Sequence, residues 1–143
     1  MATAADRPLV LFVCTHNSAR SQLAEGLLRQ RHGDRYRAAS AGTVARGVHP
    51  LAAAALEEIG VDATAHSSKT IGDLGALEPD VVVTVCDHAR EACPYVPARR
   101  ALHRSFEDPS AVEGSEADRL AAFRRVRSEI ADWLDAEFGP SHH

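Results

Sequence analysis

Apolar and polar residues fall in blocks along the chain, and these blocks predict strands that alternate with helices. "PLVLFV" (8–13) and "DVVVTVC" (80–86) are short apolar runs rich in β-branched residues, a composition typical of buried strands. Weaker strands are predicted over 36–42 and near 100–104. Strands in this alternation form a parallel sheet covered on both faces, and its ligands bind at the carboxyl ends of the strands.

Apolar residues at helical spacing predict three helices. The first covers 21–32, and the second begins at Pro50 and ends at Gly60. The longest covers 115–138, and its apolar stripe consists of Leu120, Phe123, Val126, Ile130, Trp133 and Leu134. The pattern therefore predicts an α/β fold in which a central four-stranded parallel sheet is flanked by helices on both faces.

Length and composition favour a single domain over 1–143. The chain has 143 residues, of which 45% are hydrophobic and 25% charged, as in an ordinary globular domain. Its net charge of −4 provides no general attraction to nucleic acid or to an anionic membrane. No signal-peptide pattern and no apolar run of ~18 residues is present. We therefore expect a cytoplasmic protein with neither a nucleic-acid nor a membrane partner. We also expect it to be a monomer.

The candidate chemistry lies in "LFVCTHNSARSQLAEGLL" (11–28), where Cys14 ends the first strand and Arg20 precedes the first helix. Loop amides and the amides that open a helix attract anions, and arginine adds a two-pronged donor. The same field favours the thiolate of Cys14. A small buried thiol beside a surface arginine is the alternative. The predicted oxyanion-binding residues are Thr15, His16, Asn17, Ser18, Ala19, Arg20 and Ser21.

The segment "VCTHNSARSQLAEG" resembles the signature of the low-molecular-weight tyrosine phosphatase superfamily, and more narrowly that of its thioredoxin-coupled arsenate reductases. Gln22 stands where the phosphatases usually carry proline. The resemblance extends to "SAG" (40–42), "HSSK" (66–69), "VVVTVCDHAREACP" (81–94) and "FEDP" (106–109). It implies the low-molecular-weight phosphatase fold, arsenate as substrate and no bound cofactor. Thioredoxin, recycled by thioredoxin reductase and NADPH, would be the external reductant.

The resemblance also implies a relay through three cysteines. Cys14 would attack arsenate, and Cys86 would then attack the Cys14 sulfur to release arsenite. Cys93 would move the disulfide to Cys86–Cys93, where a dithiol protein can reduce it. A glutaredoxin- or mycothiol-type donor is the rival route of recycling, and the third cysteine argues against it.

The spacing of Cys86 and Cys93 carries a further expectation. If 86–93 is helical, the two residues are about 10 Å apart along the axis, whereas a disulfide needs Cα atoms within roughly 7 Å. We therefore expect segment 86–96 to unwind on oxidation, with faster amide exchange. A zinc site that adds His88 and His103 is the alternative, although the closely spaced cysteine pair of such sites is missing.

Asp108 is the candidate general acid, because a departing oxygen needs a proton and the resemblance places this carboxyl near the loop. A turn aspartate before proline is the alternative role, and Glu107 is the substitute acid. Ser110 follows the Asp-Pro pair where the phosphatases often carry an aromatic residue. This difference weakens the case for binding a phosphotyrosine ring.

Asn17 is expected to shape the loop, either in a left-handed conformation or through its amide, with an ordinary surface turn as the alternative. Some similar reductases bind an alkali cation through positions matched here by Asn17, Glu25 and Ser40. Lys69 occupies the acidic position of that site. Its ammonium would replace the cation and pair with Glu25, so we expect no bound metal; a plain surface lysine is the alternative.

Three functions are compatible with these residues. Arsenate reduction uses all three cysteines, whereas a phosphatase needs only Cys14, Arg20 and Asp108 and has no use for the other two. A non-enzymatic oxyanion-binding module would be expected to have lost part of this set. The sequence therefore favours an arsenate reductase with possible residual phosphatase activity, because the two anions are alike.

Overall fold

Parallel strands and helices alternate in the computed structural model, which describes residues 7–75, 78–85, 96 and 98–139. The strands are β1 (Leu9–Cys14), β2 (Arg37–Gly42), β3 (Val81–Thr84) and β4 (Arg100–His103). The helices are α1 (Arg20–His32), α2 (Pro50–Glu57) and α3 (Glu116–Phe138). Single 3-10 turns lie at Ala63–Ala65, Gly72–Leu74 and Pro109–Ala111. The predicted elements are confirmed, with boundaries that shift by a few residues.

The four strands form one parallel sheet in the order β2-β1-β3-β4. All six residues of β1 are buried, so this central strand is covered on both faces, as predicted. The chain runs from β1 outward to β2 and then crosses back to β3 on the other side. A reversal of this kind opens a crevice at the carboxyl end of the strands, and ligands of α/β sheets bind there. Cys14 is the last residue of β1 and lies at this end.

The helices supply the apolar cover that the periodicity predicts. In α1, Leu23, Leu27 and Leu28 are buried. In α3, the predicted stripe is buried at Phe123, Val126, Ile130 and Leu134 and half-buried at Leu120 and Trp133. Within the described part of the chain, no helix has the length and apolar character needed to cross a membrane.

Two ion-pair groups join the helices across their exposed edges. Glu58, at the carboxyl end of α2, pairs with Arg124 and Arg127 of α3. These two arginines lower the pKa of Glu58 to about 2. Asp135 of α3 pairs with Arg31 and with the buried His32 of α1. The basic residues at the end of α1 are thus tied in part to α3.

Candidate active site

The loop between β1 and α1 forms the floor of the candidate site. Cys14 is 3% exposed, and α1 begins six residues later at Arg20. Asn17 has a φ of 48°, the left-handed conformation expected for it. Ala19 occupies the N-cap position of α1, and its methyl side chain cannot accept a hydrogen bond. The first amides of α1 are therefore left for another acceptor, and an anion is the natural one.

A cavity of about 330 Å³ opens above this loop. Arg20 and Asp108 face each other across it, with Arg20 Nη2 3.7 Å from Asp108 Oδ2. Arg20 also donates to the carbonyl of Phe106, over 3.2 Å. The sequence-predicted nucleophile, arginine and acid thus lie around one space. Its lining residues are Cys14, His16, Ser18, Ala19, Arg20, Arg46, Asp108 and Ser110.

Asp108 has a second contact that explains its position. Its Oδ1 accepts hydrogen bonds from the amide of Ser110 (3.0 Å) and from the Ser110 hydroxyl (2.6 Å). The Asp-Pro turn therefore fixes one carboxylate oxygen and leaves the other facing Arg20. Glu107, the substitute acid, pairs instead with Arg125 of α3. Asp108 therefore both forms the turn before Pro109 and lies at the cavity.

The Cys14 sulfur has a hydroxyl partner, since its Sγ lies 2.8 Å from Ser21 Oγ. Asn17 Nδ2 donates to the same Ser21 oxygen over 2.9 Å and to Ser40 Oγ, also over 2.9 Å. A thiolate has no hydrogen to donate, so Ser21 is the donor of this bond when Cys14 is ionised.

Behind the loop, the network continues to a buried carboxylate. Ser40 donates to Glu25 Oε1 over 2.6 Å, and Lys69 Nζ lies 3.8 Å from the same oxygen. The amide of Lys69 donates to Asn17 Oδ1 over 2.8 Å. The predicted Lys69–Glu25 pair is thus present. In the part of the chain that the structure describes, no group of three or more His, Cys, Asp or Glu side chains is placed to hold a metal.

Gln22 and His66 form a contact that the sequence did not reveal. Gln22 Nε2 donates to the carbonyls of Asn17 (3.1 Å) and Ser67 (3.0 Å). Its Oε1 is therefore the acceptor for His66 Nδ1, 2.9 Å away. Burial lowers the pKa of His66, against the smaller opposing effect of Glu25. The residue that distinguished the reductase-like motif thus ties the loop to segment 66–69.

Gly42 allows β2 to approach the loop closely. A Cβ atom at this position would lie 2.7 Å from Asn17 N and 2.8 Å from Thr15 O, closer than side chains approach backbone atoms. Only a glycine fits without displacing the loop. The glycine of the "SAG" segment is therefore required for steric reasons, which the sequence pattern alone did not show.

The segment 43–49 is bonded to the loop along its length. The amides of Val44, Arg46 and His49 donate to carbonyls of Thr15 (3.0 Å), His16 (3.1 Å) and Ser18 (2.9 Å). This ladder carries the Arg46 side chain to the cavity. Sequence reasoning missed Arg46, because it lies in a stretch without any periodic pattern.

Three residues of the predicted relay and of the alternative zinc set lie outside the described residues: Cys86, His88 and Cys93. Most of segment 86–96, for which unwinding is predicted, also lies outside them. The chain leaves the described part at Val85, whose amide donates to the Val13 carbonyl over 3.0 Å. His103, the remaining member of the alternative zinc set, lies on β4 with its Nδ1 2.7 Å from Thr84 Oγ1.

Comparison with known proteins identifies the family of this chain. Residues 9–136 match the model of the low molecular weight phosphotyrosine protein phosphatase family. An arsenate reductase of Halalkalibacterium halodurans is 42% identical over 126 residues, which cover 87% of this chain and 91% of that protein.

Two solved structures share the fold. An arsenate reductase in its phosphate-binding state superposes with a TM-score of 0.74 and 29% identity, covering 91% of this chain and 95% of the other. The thioredoxin-dependent arsenate reductase of Corynebacterium glutamicum gives 0.68 and 29%, covering 94% of this chain and 63% of the other. The chain belongs to the low-molecular-weight phosphotyrosine protein phosphatase family, and within it to the arsenate reductases.

Proposed function

We propose that this protein reduces arsenate to arsenite, with Cys14 as the nucleophile. The observation that carries the proposal is the placement of Cys14, Arg20 and Asp108 around one cavity, with Ser21 bonded to the Cys14 sulfur. A thiolate, a guanidinium and a carboxyl are the groups that attack on a tetrahedral oxyanion requires. The relatives that are arsenate reductases support the choice of arsenate.

In the first step, Cys14 Sγ bonds to arsenic while one arsenic–oxygen bond breaks. Asp108, in its protonated form, gives its proton to the departing oxygen, which leaves as water. Arg20 and the loop amides bind the remaining oxygens and stabilise their charge. Arsenic is still in its +5 state in the resulting thiol adduct, and no electrons have been transferred.

In the second step, the Cys86 thiolate attacks Cys14 Sγ. The sulfur–arsenic bond breaks and its electron pair stays on arsenic, which leaves as arsenite in the +3 state. The two thiols supply the two electrons and become the Cys14–Cys86 disulfide. Val85 supports this step, because its bond to Val13 brings the chain beside Cys14 immediately before Cys86.

In the third step, Cys93 attacks Cys86 Sγ and releases the Cys14 thiolate. The Cys86–Cys93 disulfide is then reduced by an external dithiol protein of the thioredoxin type. The Corynebacterium glutamicum relative, which is thioredoxin-dependent, supports this choice of reductant. Thioredoxin reductase and NADPH would complete the cycle in a cytoplasmic setting, and the protein would act as a monomer.

The test is turnover of arsenate with thioredoxin, thioredoxin reductase and NADPH, monitored by NADPH consumption. We expect Cys14→Ser, Cys86→Ser and Cys93→Ser each to lose sustained turnover, while exchange of an exposed residue such as Ser128→Ala leaves it unchanged. Sustained wild-type-like turnover by Cys86→Ser would rule out the relay.

Phosphatase activity is the second candidate, since Cys14, Arg20 and Asp108 are also sufficient for a phosphocysteine intermediate. Hydrolysis of an aryl phosphate that persists in Cys86→Ser and Cys93→Ser, without arsenate turnover in the unmodified protein, would favour it. We expect at most a weak hydrolysis beside arsenate reduction.

A further inference from the structure

Arg46 lies at the rim of the cavity that contains Cys14, and its side chain is exposed. Its amide is bonded to the His16 carbonyl, and the neighbouring amides of Val44 and His49 are bonded to the same loop. The position of Arg46 along segment 43–49 is therefore fixed relative to the oxyanion loop. The backbone is held in this way, and the Arg46 side chain is among the residues that line the cavity.

The two arginines that line the cavity differ in their partners. Arg20 shares its charge with Asp108, 3.7 Å away, and donates to the Phe106 carbonyl. Arg46, by contrast, has no carboxylate partner among the described residues. Arginine binds tetrahedral oxyanions through two parallel donors, so a guanidinium at the rim is suited to their outer oxygens.

The lining also limits what can enter. Around the described part of the cavity the residues are small, polar or charged, and none is Phe, Tyr or Trp. Ser110 follows Pro109 on one side, and Arg46 faces the cavity from segment 43–49. An aryl ester would have to place its ring at this rim, where it finds charge and little apolar area to cover it.

We propose that Arg46 is a specificity-determining residue, a second guanidinium that binds the outer oxygens of a small inorganic oxyanion held over Cys14. The inference deepens the proposed function and rests on it for the identity of arsenate. Arg20 and the loop amides bind the inner oxygens, and Arg46 compensates the remaining charge. The site therefore selects free tetrahedral oxyanions over bulky esters.

Binding of inorganic phosphate to the reduced protein, measured by calorimetry, tests the role without any redox step. We expect Arg46→Ala to raise the Kd about tenfold, as for a lost hydrogen bond to a charged group. Arg46→Lys should recover part of the loss, because it keeps the charge but not the fork. Arg124→Ala is the control, since Arg124 pairs with Glu58 at the opposite end of α2.

Arsenate kinetics provide the second readout. Arg46→Ala should raise KM about tenfold and leave kcat within about twofold, because ground-state and transition-state binding are lost together. Equal phosphate affinity in Arg46→Ala and in the unmodified protein, or a fall in kcat alone, would overturn the proposal. If phosphate binding weakens as expected but the unmodified protein reduces no arsenate, the role of Arg46 stands and the proposed function fails.

Discussion

Ser21 Oγ lies 2.8 Å from Cys14 Sγ. The attacking thiolate has no hydrogen, so in that form the Ser21 hydroxyl, which also accepts from Asn17, donates to the sulfur. Ser21→Ala should therefore slow alkylation of Cys14 by iodoacetamide at neutral pH by about tenfold, as expected for a lost hydrogen bond to a charged group. The same change at the exposed Ser128 should leave the rate unaffected, and an unchanged rate in Ser21→Ala would show that Ser21 does not assist the thiolate.

Asp108→Asn separates the two contacts of this side chain. The asparagine Oδ1 still accepts from the Ser110 amide, so the turn at Pro109–Ala111 is kept, whereas the transferable proton is lost. We expect single-turnover reduction of arsenate to slow by about 100-fold, as is usual when a general acid is removed. The thermal unfolding temperature should stay nearly constant.

Glu107→Gln is the matched control for that experiment. Glu107 pairs with Arg125 on the surface, outside the cavity lining. The single-turnover rate of the Glu107→Gln variant should stay near that of the unmodified protein. A larger loss of the single-turnover rate in Glu107→Gln than in Asp108→Asn would show that Glu107, and not Asp108, is the general acid.

The Lys69 ammonium is expected to replace a bound alkali cation beside Glu25, from which it is 3.8 Å away. Stability of the unmodified protein should then be the same in potassium, sodium and choline salts. Lys69→Met leaves the buried Glu25 with one cation fewer and should lower the free energy of unfolding by about 1–3 kcal/mol. Lys69→Asp should become more stable in potassium than in choline; stability of the unmodified protein that rises with potassium would contradict this account.

His66 should make the stability pH-dependent. Burial lowers its pKa in the folded state, so the unfolded chain takes up a proton first as the pH falls. The free energy of unfolding should be level above the unfolded value of about 6.5 and should decrease as the pH falls below it. Denaturant titrations of His66→Asn should show a shallower decrease over that range. Ser128→Ala, at an exposed position of α3 that carries no titratable group, should keep the slope of the unmodified protein.

Local pattern was sufficient for the elements and for part of the site. The buried run of β1 and the stripe of α3 follow from periodicity, and Cys14 and Arg20 follow from the strand–loop–helix order. Gly42 and Gln22 were indicated only by the resemblance. The contact of Gly42 with Asn17 depends on how β2 packs against the loop, and the contacts of Gln22 with His66 and Ser67 depend on how segment 66–69 packs there. The sequence contained no signal for Arg46, because its place at the cavity depends on backbone hydrogen bonds between two irregular segments.

The central claim is that Cys86 completes the chemistry that Cys14 begins, and disulfide mapping tests it most directly. Reduced Cys93→Ser protein would be mixed with arsenate in the absence of any reductant, then digested and analysed by mass spectrometry. The account predicts one arsenite released per protein molecule and a Cys14–Cys86 disulfide. Arsenite release with Cys14 and Cys86 still free, or no arsenite released by a protein that binds the anion, would contradict it.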